Sequence, residues 1–126
     1  MQAFTDLAVL ARRKAAFDQN NDWFGSAETY LAELKTEVDE LAEAIDLGRH
    51  CHTEDELGDV FWDLLNLAVA LEAESSVRLD SLLERACRKY RERIGGIESG
   101  RRWADIKQEQ KRRLAEEQAA FDSGGS

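Results

Sequence analysis

Two short acidic motifs contain the side chains with the clearest capacity for chemistry. They are EVDE at 37–40 and ELGD at 56–59, and each ends on an acid three residues after its first. Residues three apart lie on the same face of a helix, so each motif presents a pair of carboxylates on one face. The two pairs are Glu37 with Glu40, and Glu56 with Asp59.

The second motif opens an unusually apolar stretch, residues 57–71. Its only polar side chains are Asp59, Asp63 and Asn66, which follow one another at helical spacing. Unpaired carboxylates in a buried helix are costly, and a divalent cation offsets that cost. Mg²⁺ prefers oxygen ligands and supports phosphoryl chemistry by neutralising charge and stabilising a leaving pyrophosphate. The stretch therefore indicates a metal site that acts on a phosphorylated substrate.

Structural explanations remain open for several of these residues. Glu37 and Glu40 fit a solvated helix face, and Glu56 fits the third position of a capping box that starts at Thr53. Asp63 and Asn66 suit either hydrogen bonds in the core or contacts to a ribose or base. Neither the solvated face nor the capping box explains acids within the apolar stretch 57–71.

Trp23 and residues 50–52 carry weaker signals. Trp23 suits packing at a helix start or stacking on a nucleobase, as aromatic side chains do in other nucleic-acid and nucleotide sites. The sequence His-Cys-His at 50–52 lacks a second pair of ligands for zinc, and adjacent residues splay apart, so we interpret it as a loop.

The elements that must position the acids are helices. Apolar residues at spacings of three and four, together with Gly and Ser at the breaks, predict helices at about 3–18, 27–47, 54–73, 78–94 and 102–120. Gly48 and the pair at 95–96 are predicted stops. Short connections make neighbours antiparallel, so 37–40 and 56–59 converge. The predicted fold is all-α, an antiparallel four-helix-type bundle with an additional C-terminal helix, in one domain at 1–121 with a flexible tail at 122–126.

Composition narrows the function classes. A net charge of -9 argues against a nucleic-acid binder, and no apolar run reaches the length that crosses a bilayer. The first residues lack the features of a signal peptide, and Cys51 and Cys87 are expected to be reduced thiols. These features predict a cytoplasmic protein that binds neither nucleic acid nor a membrane.

The two motifs together are characteristic of one family. Segments 37–45 (EVDELAEAI) and 56–68 (ELGDVFWDLLNLA) resemble the MazG family of nucleotide pyrophosphohydrolases. Segment 87–93 (CRKYRER) resembles the basic aromatic stretch on that family's next helix. Trp23 precedes the first motif, as an aromatic residue does in related dCTP-cleaving enzymes.

The resemblance implies an all-α bundle that works as a homodimer or as a dimer-of-dimers tetramer. It implies hydrolysis of an NTP or dNTP to the monophosphate and pyrophosphate, with Mg²⁺ as cofactor and Mn²⁺ as a substitute, in cleansing of the nucleotide pool. The residues that match the metal-binding and catalytic acids are Glu37, Glu40, Glu56 and Asp59. The matching or candidate substrate contacts are Lys89, Arg93, Trp23, Asp63, Asn66 and Tyr90.

Two positions depart from the family pattern, and two other functions stay open. Thr36 stands where the first of two adjacent acids usually lies, and Cys87 replaces a common Asn. One alternative is phosphoribosyl-ATP pyrophosphohydrolase of histidine biosynthesis, which resembles the same bundle. The other is a non-catalytic dimerisation or regulatory module, which the missing acid at Thr36 favours.

Overall fold

The computed structural model describes residues 2–19 and 26–124, which form five α-helices and no strand. The helices are α1 (Gln2–Gln19), α2 (Ala27–Asp46), α3 (His50–Glu74), α4 (Leu79–Glu98) and α5 (Trp103–Gly124). The predicted all-α class is confirmed. The chain forms two compact units, Met1–Leu79 and Asp80–Ser126, so the single domain at 1–121 stays a prediction. No helix in the described ranges is long and apolar enough to cross a membrane.

Helices α2 and α3 pack side by side in opposite directions. Gly48 adopts a φ of 66°, the left-handed conformation that ends a helix, and its N–H donates to the Ile45 carbonyl at 3.0 Å. At the other end of the pair, the N–H of Ala27 donates to Glu74 Oε1 at 3.1 Å. The C-terminal half of α2 therefore lies beside the N-terminal half of α3, which carries the second acidic motif.

Helix α3 starts earlier than its sequence suggested. Arg49 is the N-cap, and the Thr53 N–H donates to the Arg49 carbonyl at 2.9 Å, so residues 50–52 form the first turn. The interpretation of 50–52 as a loop was wrong, because these residues contain no helix breaker and Gly48 alone ends α2. The capping box was wrong as well, since Thr53 lies inside the helix and cannot cap it.

The second unit is a hairpin of α4 and α5. The predicted stop at 95–96 was wrong, because α4 continues to Glu98, and Gly100, with a φ of 91°, follows its end. Gly96 lies directly against α5, and a Cβ there would overlap Ile106 Cδ1. Ile106 is 0% exposed, so Gly96 provides the space for the largest fully buried side chain of the described residues.

Helix α5 lies antiparallel to α4 and is longer than predicted. Arg85 near the start of α4 pairs with Glu117 near the end of α5, with both guanidinium donors 2.8 Å from the carboxylate oxygens. The helix continues to Gly124, whereas we predicted a flexible tail from 122. Residues 122–124 therefore extend the helix, because Asp122 and Ser123 do not break it, and the Gln118 side chain donates to Asp122.

Gly96→Ala is expected to destabilise the protein. The added Cβ would overlap Ile106, so we expect a loss of about 1–3 kcal/mol in the free energy of unfolding. The matched control is Gly95→Ala, one residue earlier in the same helix, where nothing lies within 4 Å of the added Cβ. Since Ala favours helix over Gly, the control should gain about 0.5–1 kcal/mol. Urea unfolding of both variants tests this, and equal shifts would contradict the close contact.

Candidate metal centre

Three of the four predicted ligands meet at one place in the first unit. Glu37 comes from α2, and Glu56 and Asp59 come from successive turns of α3. Each offers a carboxylate oxygen, and these oxygens all lie within 4.8 Å of one another. All three residues are half-buried. The antiparallel packing of α2 and α3 therefore produces a compact set of oxygen donors.

The fourth predicted ligand, Glu40, lies at the border of this cluster. It is exposed, one turn after Glu37 on α2. Its charge and hydrogen bonding contribute to raising the pKa values of both Glu37 and Glu56, so its carboxylate is close to each of them. We use the name carboxylate cluster for Glu37, Glu40, Glu56 and Asp59.

The three half-buried members of the cluster, Glu37, Glu56 and Asp59, hold their protons more tightly than free carboxylates do. Burial, followed by the charge of Glu40, raises the pKa of Glu37 from its ordinary 4.5 to about 7. Burial is also the largest cause of the raised pKa of Glu56, with Glu40 second, and of Asp59, with Asp55 second. Like charges close together disfavour ionisation, and a cation among them would reverse that effect.

Two oxygens of the cluster have no hydrogen-bond partner within the described part of the chain. They are Glu37 Oε2 and Glu56 Oε2, and both are buried. A buried polar atom without a partner costs free energy, and native proteins seldom leave one unsatisfied. Hard carboxylate oxygens that converge without donors suit a divalent cation such as Mg²⁺, which also retains several waters. The residues present therefore fit the metal.

A shallow depression lies at the start of α3, beside the cluster. Asp59 belongs to both the cluster and the lining of the depression. The residues that line it are His50, Cys51, Glu54, Asp55, Gly58 and Asp59.

Asp63 and Asn66 lie deeper along α3. Asp63 is 6% exposed, and its Oδ2 is buried without a partner among the described residues. Burial and the charges of Glu33 and Asp59 raise its pKa, whereas Lys14 acts in the opposite direction. Asn66 is 2% exposed, and its Nδ2 donates to the carbonyl of Trp62 at 2.8 Å. This bond satisfies one hydrogen-bond donor of the Asn66 amide within the core. Contacts of Asp63 or Asn66 with substrate stay predictions.

A buried polar network beside Asp63 was missed by the sequence analysis. Lys14 Nζ donates to Asp18 Oδ2 at 2.6 Å and to the Tyr30 hydroxyl at 2.7 Å. The Tyr30 hydroxyl donates in turn to Asp18 Oδ2 at 3.0 Å, which links α1 to α2. The available signal was the i,i+4 spacing of Lys14 and Asp18 on one helix face. It could not have identified Tyr30 as the third member.

The basic aromatic stretch lies in the second unit. Lys89 is exposed, with its ammonium 5.7 Å from the centre of the Tyr90 ring. Arg93 is 6% exposed and also lies over Tyr90, at 5.2 Å. The structure therefore places two of the predicted substrate contacts, Lys89 and Arg93, over the ring of a third, Tyr90. Trp23, the remaining candidate, lies outside the described residues.

Comparison with known proteins identifies one match. A family model described as the MazG nucleotide pyrophosphohydrolase domain matches residues 25–95. The match includes α2, α3 and most of α4, and therefore both acidic motifs and segment 87–93. Searches of curated proteins and of solved structures gave no match.

Proposed function

This chain belongs to the MazG family of nucleotide pyrophosphohydrolases, and from that premise we propose that its carboxylate cluster supports Mg²⁺-dependent hydrolysis of a nucleoside triphosphate. The products are the nucleoside monophosphate and pyrophosphate. The observation that carries the proposal is the meeting of Glu37, Glu56 and Asp59 within 4.8 Å, in the segment that the family model covers. The buried, unpartnered oxygens of Glu37 and Glu56 support it.

The proposed reaction breaks the bond between the α-phosphorus and the oxygen that bridges it to the β-phosphorus. A water oxygen attacks the α-phosphorus, its proton passes to a carboxylate of the cluster, and pyrophosphate leaves with the bridging oxygen. A bound divalent cation would neutralise phosphate charge and stabilise the leaving pyrophosphate.

The predicted phosphate-binding residues lie on α4. Lys89 and Arg93 are cations on successive turns of that helix, and guanidinium groups bind phosphate oxygens through paired hydrogen bonds. We propose that they bind the phosphates of the nucleotide. Asp63, Asn66, Tyr90 and Trp23 remain candidates for contacts to the sugar and base.

A substrate panel tests this function. The purified chain is incubated with the ribo- and deoxyribonucleoside triphosphates and with phosphoribosyl-ATP, and pyrophosphate release is measured. Release from one or more NTPs or dNTPs supports nucleotide-pool cleansing, whereas release from phosphoribosyl-ATP alone assigns the enzyme to histidine biosynthesis. No release from any of these compounds would favour a non-catalytic module. Thr36, an exposed residue where the family usually has an acid, makes that outcome a specific alternative.

We also propose that the chain works as a homodimer or dimer of dimers, as the family resemblance implies. Helix α3 supports this with Leu57, Phe61 and Leu64, which follow one another at helical spacing and are each more than 40% exposed. Side chains of this size gain free energy when a partner covers them. Light scattering of the purified chain measures the assembly.

A further inference from the structure

Arg93 is held on three sides within the second unit. Its Nε donates to Gln110 Oε1 at 2.7 Å. Its guanidinium lies 5.2 Å from the centre of the Tyr90 ring and 5.2 Å from the centre of the Trp103 ring. The side chain is 6% exposed, although arginine is seldom so deeply buried. Its position is therefore determined by neighbours, and two of the three neighbours belong to α5.

Gln110 is itself fixed by further hydrogen bonds. Its Nε2 donates to the carbonyl of Lys89 at 3.0 Å and to Glu92 Oε1 at 2.8 Å. With both amide hydrogens directed at α4, the amide oxygen is left to face Arg93. The Glu92 carboxylate also accepts from Arg113, which ties it to α5. Gln110 thus connects the Arg93 side chain to the α4 backbone through hydrogen bonds and fixes its position there.

This arrangement leaves one edge of the guanidinium suited to a ligand. Gln110 uses the Nε edge, and aromatic rings lie against the group, so in-plane acceptors approach the edge formed by the two Nη atoms. That edge matches two oxygens of a phosphate. Because the side chain is already ordered, binding an anion there costs less conformational entropy than binding to a mobile arginine.

The family match does not include the residues that hold Arg93 from α5. It ends at residue 95, whereas Trp103 and Gln110 lie beyond it. We propose that α5 is a positioning element of this enzyme, and that Gln110 and Trp103 are positioning residues that hold Arg93 ready to bind a phosphate of the nucleotide. This inference rests on the proposed function, in which Arg93 contacts the phosphates.

The test compares four variants of the full chain. Gln110→Ala and Trp103→Ala are each expected to raise KM for the nucleotide about tenfold, with a smaller change in kcat. That is about the size of one charge-assisted hydrogen bond, which Gln110 makes, or of one desolvated cation–π contact, which Trp103 makes. Trp103→Phe retains an aromatic face over Arg93 and should restore KM to near the wild-type value. Glu117→Ala is the matched control, because it removes the α4–α5 ion pair with Arg85 but touches nothing around Arg93.

Calorimetric titration of inorganic tripolyphosphate, in the presence of Mg²⁺, measures the same contact without turnover. Its affinity should fall about tenfold in Gln110→Ala, and Gln110→Ala should cause no further loss when it is added to Arg93→Ala. This pattern would stand even if no nucleotide were hydrolysed, in which case the proposed function alone would fail. The inference is overturned if tripolyphosphate does not bind the wild-type chain, or if Gln110→Ala lowers stability while KM and affinity match those of Glu117→Ala.

Discussion

Asp59→Asn is expected to lower kcat about 10²–10³-fold, the loss typical of removing one electrostatic group at a reacting centre. The same change should raise the melting temperature of the metal-free protein above pH 7. The amide has the shape of the carboxylate but lacks its charge, so it weakens metal binding and relieves repulsion with Asp55 and Glu40. Steady-state kinetics and calorimetry on the same preparations measure both effects.

The control for this prediction is Asp39→Asn. This substitution removes the same charge from α2, between Glu37 and Glu40. Asp39 is exposed, and its oxygens do not belong to the converging set. Its activity should remain within about twofold of wild type, as is usual for a surface substitution. If Asp59→Asn keeps most of its activity, Asp59 is not a metal ligand. A loss of activity together with a lower melting temperature would indicate disrupted folding instead.

The stability of the metal-free protein should fall as the pH is raised from 5 to 8. The folded-state pKa of Glu37 is about 7, above its ordinary 4.5, so between these values the folded chain keeps a proton that the unfolded chain releases. The stability that this group contributes is complete below pH 4.5 and is lost as the pH rises through 7. Glu72 and Glu117 have pKa values lowered from the ordinary 4.5. Their contributions to stability therefore change with pH mainly below 4.5, outside the range from pH 5 to 8.

Mg²⁺ should reverse this loss, because it binds the ionised cluster and not the unfolded chain. At a concentration about ten times its Kd, mass action adds about 1.4 kcal/mol to the free energy of unfolding. That corresponds to a rise of about 3–8 °C in melting temperature for a chain of this size. Calorimetry at pH 5 and pH 8, with and without Mg²⁺, measures the effect, which should be larger at pH 8.

Glu56→Gln provides the control for the metal effect. The substitution neutralises one member of the cluster, so the rise with Mg²⁺ at pH 8 should shrink or disappear, while the variant without metal is at least as stable as wild type. An equal Mg²⁺ shift in wild type and Glu56→Gln would place the ion elsewhere. A wild-type melting temperature that Mg²⁺ leaves unchanged at both pH values would contradict the metal centre.

Local pattern was sufficient to predict the part of the fold that builds the site. Apolar spacing identifies α2 and α3, and Gly48 marks the turn because no bulkier residue readily adopts its φ of 66°. A short connection between two long helices leaves them antiparallel, which brings 37–40 beside 56–59. The meeting of Glu37, Glu56 and Asp59 follows from these local facts.

Features that depend on distant partners could not be predicted in the same way. Gly96 has the sequence signature of a helix stop, and only the presence of Ile106 on the facing helix shows that it allows close packing. Thr53 and Glu56 matched a capping box because the earlier start of α3 at His50 carries no capping side chain to signal it. Gln110 lies on a mostly charged helix, and nothing in its surroundings along the chain indicates a contact with Arg93.

The most direct test of the account is ³¹P NMR of one nucleotide turned over by wild-type protein, first stripped of metal with EDTA and then supplied with Mg²⁺. We predict no turnover in EDTA and, after Mg²⁺ is added, resonances of the nucleoside monophosphate and pyrophosphate in equal amounts. This result would show metal-dependent cleavage between the α- and β-phosphates. Equal turnover in EDTA, formation of the diphosphate and inorganic phosphate, or no turnover of any nucleotide with Mg²⁺ would contradict it.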